Sequence, residues 1–419
     1  MRIKKGNLQK VTFSIVGFGG RANAYLTALE ENYQDRFELI AVAEPDKRKQ
    51  QRIKQKYGLK DENIFDTDVE FCKQERLSDV VMITTQDRLH YQEVIQLLDK
   101  GYDIILEKPI AATLQEVLSL KEISKKYPNQ LVAVCHVLRY SPLFMKVKEI
   151  IDSGVLGKII TIQHNENIGY YHFVHSYVRG PWRNDQESAP LILAKSCHDL
   201  DILLYLTGKH ALKIASFGSL SEFNHKNYDE KRMAPTCIDC KMEKECPFSA
   251  IKIYSSNKIK SVVFDMSSID KIRENLGNSN YGRCVYQCDN NVVDHQSTII
   301  EFEDGITATF NISAFTRKIN RSFKIMCQYG EIRARERPYL IEVYNFKTET
   351  EEKFEIVQPQ GGHGGSDRSF IAHFMNAYLG NETFKSTLDD SIEAHVMAFL
   401  AEESRINHGI PQDICDKMK

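Results

Sequence analysis

The chain lacks the features that mark several large classes of protein. No apolar run in its 419 residues approaches the ~20 residues that a membrane-spanning helix needs. Neither sign of charge dominates, with 55 basic and 57 acidic residues, so a nucleic-acid-binding surface is not expected to be its main feature. An aromatic content of 10% and an even spread of charge argue against disorder. The length exceeds that of one ordinary core, so we predict two domains.

The start of the sequence also lacks an apolar signal core and a cleavage pattern. The charged segment MRIKKGNLQK leads directly into a strand-like run. Ten cysteines without a secretion signal are more typical of free thiols or metal ligands than of a disulfide framework. We therefore expect a soluble, cytoplasmic protein without a membrane or nucleic-acid partner.

The first third of the sequence alternates strand-like and helix-like segments. Apolar runs rich in β-branched residues occupy positions 11–17, 37–43, 79–85, 102–106 and 131–135. Helix-period segments lie between them, around 46–57, 89–100 and 113–127. Such alternation predicts βαβ units and a parallel sheet, and nearly continuous apolar strands fit a sheet covered on both faces. We predict a doubly wound Rossmann domain over residues 1–137.

A glycine-rich turn follows the first predicted strand. Gly17 allows a tight strand-to-helix turn, Gly19 lets the backbone approach a pyrophosphate, and the small Ala22 permits close packing of helix and strand. The helix that begins beside Gly20 and Arg21 then faces the phosphates with its free N–H groups. A lone G-x-G-x-x-A pattern is a weak signal, but here it stands between a predicted strand and a predicted helix.

An acidic residue, Glu44, ends the second predicted strand at about the distance expected from the glycine turn. A carboxylate there accepts hydrogen bonds from the ribose hydroxyls of NAD and repels the 2′-phosphate of NADP. NAD is therefore the expected cofactor, and Arg21 and Lys47 are the cations that would soften this preference. The alternative is an ordinary turn with Glu44 as a solvated strand end.

The strand at 102–106 ends in Glu107-Lys108-Pro109. At the carboxyl edge of an open α/β sheet such residues face the ligand crevice. A lysine there is able to hydrogen-bond a substrate hydroxyl and to exchange a proton. The bare tripeptide is more typical of a loop with a solvated lysine, and its placement is what favours a site.

Together these motifs resemble the Gfo/Idh/MocA family of nicotinamide-dependent oxidoreductases, the relatives of glucose–fructose oxidoreductase and inositol dehydrogenase. Further matches follow in order along nearly the whole chain: Thr84-Thr85 with His90, Arg139-Tyr140-Ser141-Pro142, Gly154-x-x-Gly157-Lys158-Ile159, Trp182-Arg183, His198-Asp199-x-Asp201 and Gly364-Gly365-Ser366-Asp367. The resemblance implies that the glycine turn binds the cofactor together with Glu44, Thr84, Thr85, His90, Glu107 and Lys108. It implies that the substrate contacts Arg139, Trp182, Arg183, Lys195 and His198.

The resemblance also implies a second domain with a large, mostly antiparallel sheet and helices on one face. The sequence supports it with strand-like segments at 158–166, 211–219, 292–303, 306–315, 320–328 and 339–346, and with helical patterns near 142–153, 189–206, 366–379 and 388–405. Glu303-Asp304-Gly305 predicts a hairpin between two of these strands. We predict this α+β domain over residues 138–419 and, by analogy of fold, a homodimer or homotetramer.

The catalytic residues of the family carry over at all but one position. His198 matches the family's helix histidine and Lys108 its EKP lysine, whereas Ala194 stands where members usually have an aspartate. Residues 194 and 198 are predicted to share a helix face, and Lys195 lies next to them. Lys195 is therefore able to make part of the polar contacts that the aspartate usually makes. We expect Lys108 and His198 to transfer the proton. Lys195 and Arg183 are expected to position the substrate, and the alternative for His198 is a polar residue paired inside a helix interface.

A group of cysteines is the second notable feature. Cys237-x₂-Cys240-x₅-Cys246-Pro247 lies in an insertion at about residues 221–292, and Cys284-x₃-Cys288 lies further along the same insertion. Thiolates at this spacing suit a tetrahedral structural zinc site, completed by Cys288, Cys284 or His295. The Cys-Pro ending also occurs in iron–sulfur ligation, although zinc is favoured here. Free thiols or a regulatory disulfide are the alternatives.

The leading functional expectation is an NAD-dependent dehydrogenase that acts on a hydroxyl of a sugar, sugar derivative or cyclitol. Some relatives of the family resemble glycosidases that keep NAD bound and recycle it, so hydrolysis without net NADH is one alternative. The fold also serves as a non-enzymatic regulator that responds to a sugar or to NAD. Ala194 favours the regulator, whereas the EKP lysine and His198 favour an enzyme.

Overall fold

The computed structural model describes residues 10–256, 258–259, 264–357, 362–380 and 382–418. Within the first third of this range lie the strands β1 (Val11–Val16), β2 (Phe37–Ala43), β3 (Ile64–Phe65), β4 (Val80–Ile83), β5 (Asp103–Leu106) and β6 (Val132–Val134). The helices between them are α1 (Gly20–Tyr33), α2 (Lys47–Tyr57), α3 (Asp68–Lys73), α4 (His90–Asp99) and α5 (Leu114–Ser124). The strands are parallel in the order β3-β2-β1-β4-β5-β6. This is the order of the dinucleotide-binding fold, so the predicted Rossmann sheet is confirmed.

The local sequence explains these elements. Every residue of β4 and β5 is buried, as a sheet covered by helices on both faces requires. Thr113 and Glu116 form a reciprocal capping box that starts α5. The Asp46 side chain caps the start of α2, and Gly58 ends that helix in the left-handed conformation with φ of 66°.

The second half of the described chain forms a nine-stranded sheet. Its strands are β7 (Ile159–Asn167), β8 (Ala211–Ser219), β9 (His295–Phe302), β10 (Thr307–Ser313), β11 (Asn320–Cys327), β12 (Gly330–Arg335), β13 (Leu340–Asn345), β14 (Thr350–Glu355) and β15 (Gln412–Asp413). Neighbours in the order β14-β13-β12-β11-β7-β10-β9-β8-β15 are antiparallel, apart from the parallel pair β7 and β10. Asp304 and Gly305 have positive φ in the predicted hairpin between β9 and β10. The predicted mostly antiparallel sheet is therefore confirmed.

The helices of the second half are α6 (Pro142–Asp152), α7 (Tyr170–Phe173), α8 (Leu191–Ala194), α9 (Cys197–Thr207), α10 (Ala250–Ser255), α11 (Ile269–Gly277), α12 (Ser366–Tyr378), α13 (Leu388–Ile406) and α14 (Ile414–Met418). No helix in this described part of the chain combines the length and apolarity needed to cross a membrane. The single helix predicted over 189–206 is wrong, because the chain breaks into α8 and α9 where Ser196 adopts φ −112° and ψ 8°. Residues 194 and 198 therefore lie on different helices.

One segment of the second half returns to the first domain. The helix α12 packs against α1, with ring centres 5.9 Å apart for Tyr25 and Phe370. On β1, Phe13 lies 6.3 Å from Phe374 of the same helix. These residues share one buried cluster, so the core of the Rossmann domain includes a helix from the far end of the chain. The boundary at residue 137 stays a prediction.

Candidate active site

The glycine turn between β1 and α1 has the geometry of a dinucleotide-binding turn. Gly17 has φ of 84°, and a Cβ there would lie 2.9 Å from the backbone nitrogen of Thr85, so the position requires glycine. A Cβ on Gly19 or Gly20 would meet no atom within 4 Å. Ala22 is fully buried. The helix α1 starts without a side-chain cap among the described residues, which leaves its first N–H groups available for an anion.

A cleft of about 360 Å³ opens beside this turn and is lined by Glu44 on one side. It lies between the ends of β1 and β4, the point where the strand order reverses and where open α/β sheets bind ligands. The Glu44 carboxylate accepts hydrogen bonds from the backbone N–H groups of Phe18 (2.9 Å) and Asp46 (3.0 Å), and Lys49 Nζ lies 3.3 Å away. These contacts hold the carboxylate in one position. Its two oxygens have four lone-pair sites in all, so it is able to accept further hydrogen bonds.

Thr84 and Thr85 follow β4 and line the other side of the cleft. The Thr84 hydroxyl donates to the carbonyl oxygen of Gly17, which ties the two turns together. The Thr85 hydroxyl donates to the carboxyl group of Glu93 at 2.6 Å. Burial raises the pKa of Glu93 to about 8, and the bond from Thr85 offsets only part of this effect.

Glu107, at the end of β5, belongs to a buried ion network. It accepts hydrogen bonds from the Tyr25 hydroxyl (2.5 Å) and from Arg21 Nε (2.6 Å). Burial alone would raise the pKa of Glu107, but the charges of Arg21 and Lys108 outweigh it and hold the pKa below its usual value. Arg21 also donates to both carboxylate oxygens of Asp367 on α12, at 2.9 and 2.8 Å. Arg21 and Glu107, both predicted to bind the cofactor, thus connect the first domain to α12.

Lys108 extends from the same edge of the sheet to the second domain. Its Nζ donates a hydrogen bond of 2.9 Å to the carbonyl oxygen of Ala194, the last residue of α8. A helix end leaves such carbonyl groups without an intrahelical partner. His90 supports the turn that carries this lysine, since its ring nitrogens lie 2.7 Å from the carbonyl oxygen of Pro109 and 3.3 Å from that of Thr85. His90 therefore joins two turns, and the lysine is fixed where the two domains meet.

His198 lies at the start of α9 among other buried histidines. Its ring centre is 5.7 Å from that of His136, which is 5.6 Å from that of His395. Burial lowers the pKa of His136 well below its usual value, and the charges of Arg139 and Lys108 act in the same direction. Burial also lowers the pKa of His395 to about 3. His198 and Lys108 thus share a neighbourhood whose two other histidines are neutral at pH 7.

Lys195 is held by a buried carboxylate. Its Nζ lies 3.1 Å from Glu166 of β7, which pairs with Arg321 of β11 at 2.9 Å. Arg321 Nε in turn donates to Asp199 of α9 at 2.7 Å. Two buried carboxylates therefore face two cations. Buried charges require partners of opposite sign, and this arrangement provides them.

The pKa values of these two carboxylates shift in opposite directions. Burial raises the pKa of Glu166, although Arg321 and Lys195 oppose the rise. For Asp199, burial is outweighed by Arg321 and by His164, and the pKa lies well below its usual value. Sequence reasoning missed Glu166 and Arg321. The available signal was the placement of charged residues at inward positions of strands that otherwise alternate.

Arg139 and Arg183, predicted to bind substrate, are both engaged by carboxylates. Arg139 donates to both oxygens of Asp201 on α9, at 2.8 and 2.6 Å. Arg183 bonds Asp289 of the insertion at 2.9 Å. Trp182 is part-buried and packs on a neighbouring tyrosine, with 6.2 Å between ring centres. Each of the two arginines therefore links its own segment to another segment of the chain through an ion pair.

The insertion contains a second cavity, of about 320 Å³. Three predicted metal ligands line it, namely Cys237, Cys240 and Cys246. The fourth lining cysteine is Cys284, one of the three residues considered as the fourth ligand. The thiol of Cys288 donates to the carbonyl oxygen of Cys284 at 3.3 Å. All ten cysteines are free thiols. Among the described residues no group of three or more His, Cys, Asp or Glu is arranged to hold a metal ion, so the zinc stays a prediction.

Comparison with known protein families accounts for most of the chain. Residues 11–136 match the NAD-binding Rossmann fold of the Gfo/Idh/MocA oxidoreductase family. Residues 148–409 match the C-terminal alpha/beta domain of the same family. The resemblance seen in the sequence motifs is therefore confirmed.

Individual relatives extend this picture. The chain is 24% identical over 395 residues to "Putative oxidoreductase YteT" of Bacillus subtilis strain 168, covering 88% of this chain and 89% of that protein. It resembles the crystal structure of myo-inositol 2-dehydrogenase from Lactobacillus plantarum, with a TM-score of 0.65, 18% identity and coverage of 96% and 99%. It also resembles a super-repressor mutant of Gal80p from Saccharomyces cerevisiae, with a TM-score of 0.70, 15% identity and coverage of 98% and 99%. At these identities the structures demonstrate a shared fold.

Proposed function

Because the chain belongs to the Gfo/Idh/MocA family of oxidoreductases, we propose that it transfers a hydride from a carbon that bears a hydroxyl in a sugar, sugar derivative or cyclitol to NAD. The observation that carries this proposal is the position of Lys108. It stands at the same sheet edge as the glycine turn and reaches the second domain at Ala194. A hydride leaves such a carbon as the hydroxyl proton is removed, so the protein must supply a base and orienting groups.

The residues beside the glycine turn fit a dinucleotide. Gly19 and Gly20 leave open space for a pyrophosphate, and the N-terminus of α1 supports its charge. The fixed carboxylate of Glu44 accepts hydrogen bonds from ribose hydroxyls. When bound, NAD supplies the hydride acceptor. A 2′-phosphate would meet the like charge of Glu44, which favours NAD over NADP.

Lys108 is the group that takes the hydroxyl proton in this proposal. Its bond to the Ala194 carbonyl holds the amine in one place and leaves its remaining hydrogen-bonding capacity for a hydroxyl. His198 is the second proton-transfer group because it shares the neighbourhood of His136 with Lys108. Lys195 positions the substrate through an ammonium group that Glu166 orients.

Arg139, Trp182 and Arg183 are proposed to contribute to substrate binding by giving the site its shape. Asp201 and Asp289 hold the two arginines, so the segments that carry them keep a defined separation. Trp182, next to Arg183, offers an aromatic face that suits the C–H surface of a sugar or cyclitol ring. Hydrogen-bonding groups combined with one flat apolar surface support this substrate class.

A homodimer or homotetramer is part of the same proposal. Exposed apolar side chains lie on the nine-stranded sheet, among them Phe217 and Ile299 on the adjacent strands β8 and β9, and Ile160 on β7. Exposed apolar patches of this kind mark contact surfaces. Sedimentation of the wild type and of a Phe217→Asp, Ile299→Asp variant tests the assignment, since a monomer in both would contradict it.

A single-turnover experiment tests the function. Protein and NAD at nearly equal concentrations are mixed with aldoses, glycosides, uronates and inositols, and reduced nicotinamide is followed by its absorbance. A lasting signal that is absent in Lys108→Ala supports a dehydrogenase. A signal that decays as a sugar is released supports instead a glycosidase that recycles NAD. No signal from a protein shown to bind NAD contradicts the proposal.

A regulator that responds to a sugar or to NAD is the second candidate. It is favoured by Ala194, which lacks the carboxylate usual in the family, and by the fold shared with Gal80p. Under this alternative NAD or a sugar alters binding to another macromolecule, and Lys108→Ala leaves that response unchanged. The same variant therefore separates the two candidates.

A further inference from the structure

Four cysteines surround one cavity in the insertion, and the proposed hydride transfer uses none of them. We propose that this cavity of about 320 Å³ holds a [4Fe–4S] cluster ligated by Cys237, Cys240, Cys246 and Cys284. Clusters of this type are held by four cysteine thiolates, and a proline follows the last cysteine in one of their closely spaced motifs. Pro247 follows Cys246 in the same way.

The fold brings the distant cysteine to the three closely spaced ones. Thr236 and Arg283 form an antiparallel bridge, with backbone hydrogen bonds of 2.8 Å on either side of it. Side chains alternate across paired extended segments, so Cys237 and Cys284, which follow the two bridge residues, lie on the same face. The turn that contains Cys240 and Cys246 lines the same cavity.

A buried cation beside the cysteines needs a negative charge nearby to stabilise it. Arg179 is 2% exposed, and its Nη1 has no hydrogen-bond partner in the described structure. Its Nε and Nη2 donate to the backbone carbonyl oxygens of Arg283 (2.8 Å) and Phe248 (2.9 Å), and no carboxylate of the described residues forms an ion pair with it. A buried guanidinium without a counter-charge is costly. Four thiolates around a cluster carry net negative charge and supply what the protein side chains nearby do not.

Two N–H groups are directed at the sulfur of Cys237. Arg179 Nη2 lies 3.4 Å from this Sγ, and the backbone nitrogen of Ala250 lies 3.5 Å from it. Hydrogen bonds to the ligand sulfurs are a regular means by which proteins adjust iron–sulfur clusters. A neutral thiol is only a weak acceptor, so two donors on one sulfur fit a metal-bound thiolate better.

A cluster makes different demands on its ligands than a single zinc ion does. A structural zinc ion needs four side chains that converge on one metal atom, with zinc–sulfur bonds of about 2.3 Å. Among the described residues no group of three or more possible ligands is arranged around one ion. In a [4Fe–4S] cluster each iron takes one cysteine thiolate, so four cysteines that share one cavity meet its requirement without converging on one atom.

The cluster has a structural role that reaches the proposed active site. Arg179 lies just before the segment that carries Trp182 and Arg183. Arg183 and Arg283 both bond Asp289, at 2.9 and 2.7 Å, so this segment is attached to the insertion at a second point. Metal ligation stabilises segments that have little core of their own. The cluster therefore fixes the segment that carries Trp182 and Arg183, whose part in substrate binding rests on the proposed function.

Metal analysis of protein purified without oxygen tests the proposal. Iron and acid-labile sulfide are measured per chain, with the Mössbauer spectrum and the visible absorption of the cluster. We expect about four of each per chain. Metal-free wild type is also incubated with ferrous iron and sulfide, so the result does not depend on how well the variants fold.

Matched variants locate the ligands. Cys237→Ser and Cys284→Ser are expected to lose iron and sulfide, whereas Cys288→Ser and Cys327→Ser keep them, and NAD binding by all four reports on folding. One zinc per chain, or no metal in anaerobic and reconstituted protein, overturns the proposal. Full iron content in Cys284→Ser overturns it as well.

Discussion

The Nζ of Lys108 lies 2.9 Å from the backbone carbonyl oxygen of Ala194. The two residues belong to different domains, so this bond crosses the place where the domains meet. Ala194 has no polar side chain, and its backbone carbonyl group accepts the hydrogen bond from the lysine instead. The end of α8 therefore positions the proposed base, which the break between α8 and α9 makes possible.

Replacement of Lys108 tests its role. Lys108→Ala is expected to lower turnover by about 10²–10⁴, the usual contribution of a general acid or base, with NAD affinity nearly unchanged. Initial rates and NAD titrations measure both quantities. The exposed Lys213, changed to alanine, is the matched control. Equal losses in the two variants would rule out a specific role for Lys108.

The cofactor preference depends on Glu44. Glu44→Gln removes the negative charge that faces a 2′-phosphate and retains hydrogen-bonding capacity. We expect the ratio of kcat/KM for NAD to that for NADP to fall about tenfold, which corresponds to roughly 1.4 kcal/mol. Glu38→Gln, on the exposed face of the same strand, is the control and keeps the wild-type ratio. An unchanged ratio in Glu44→Gln would disprove the assignment.

Glu93 makes the stability of the fold depend on pH. Its pKa is raised by burial from 4.5 to about 8, so between these values the unfolded chain releases a proton that the folded protein retains. Stability therefore falls as the pH rises from about 4.5 to 8, by at most about 5 kcal/mol at about 1.4 kcal/mol per pKa unit. Denaturant unfolding at pH 5 and pH 8 measures the fall.

The matched variants isolate this carboxyl group. Glu93→Gln keeps an acceptor for Thr85 and has no charge to bury, so its stability is expected to change less between the two pH values. Glu62→Gln, at an exposed position, should retain the full dependence. A wild type that is equally stable at both pH values, or a Glu93→Gln variant that falls as steeply, would refute the explanation.

The ion pair between Arg21 and Asp367 is predicted to hold α12 on the first domain. Asp367→Asn leaves part of a largely buried guanidinium charge unpaired, and we expect the free energy of unfolding to fall by about 2 kcal/mol. The exposed pair of Glu122 and Lys125 provides the comparison, because solvent screens this pair and Glu122→Gln should change the stability little. Similar small losses in both variants would argue against a structural role for Asp367.

Much of the fold was predictable because local patterns agree with it. The apolar runs of the parallel sheet, the glycine turn and the hairpin at Asp304 and Gly305 each have a signal within a few residues. The strands β12 and β14 have no such local signal in the sequence. Their sequences, GEIRAR and TEEKFE, are rich in charge because they lie towards one end of the nine-stranded sheet, where one or both faces are solvated.

The parts of the site that escaped prediction depend on contacts between distant residues. Glu166 and Arg321 come together only when β7 pairs with β11. The choice of Cys284 among the candidate fourth ligands likewise depends on the pairing of Arg283 with Thr236, which brings Cys284 to the cavity. The expected helix face of residues 194 and 198 failed for a local reason, since Ser196 departs from helical geometry. Spacing along the chain identifies candidate side chains but does not determine their partners.

The return of α12 to the first domain has a consequence for the order in which the protein is made. Phe370 and Phe374 complete a core whose other members, such as Phe13 and Tyr25, leave the ribosome far earlier. Until the last part of the chain emerges, the nascent Rossmann sheet exposes the apolar surface that this helix later covers. Exposed apolar surface of this kind promotes aggregation, so we expect a chain cut short before α12 to aggregate more readily than the full chain.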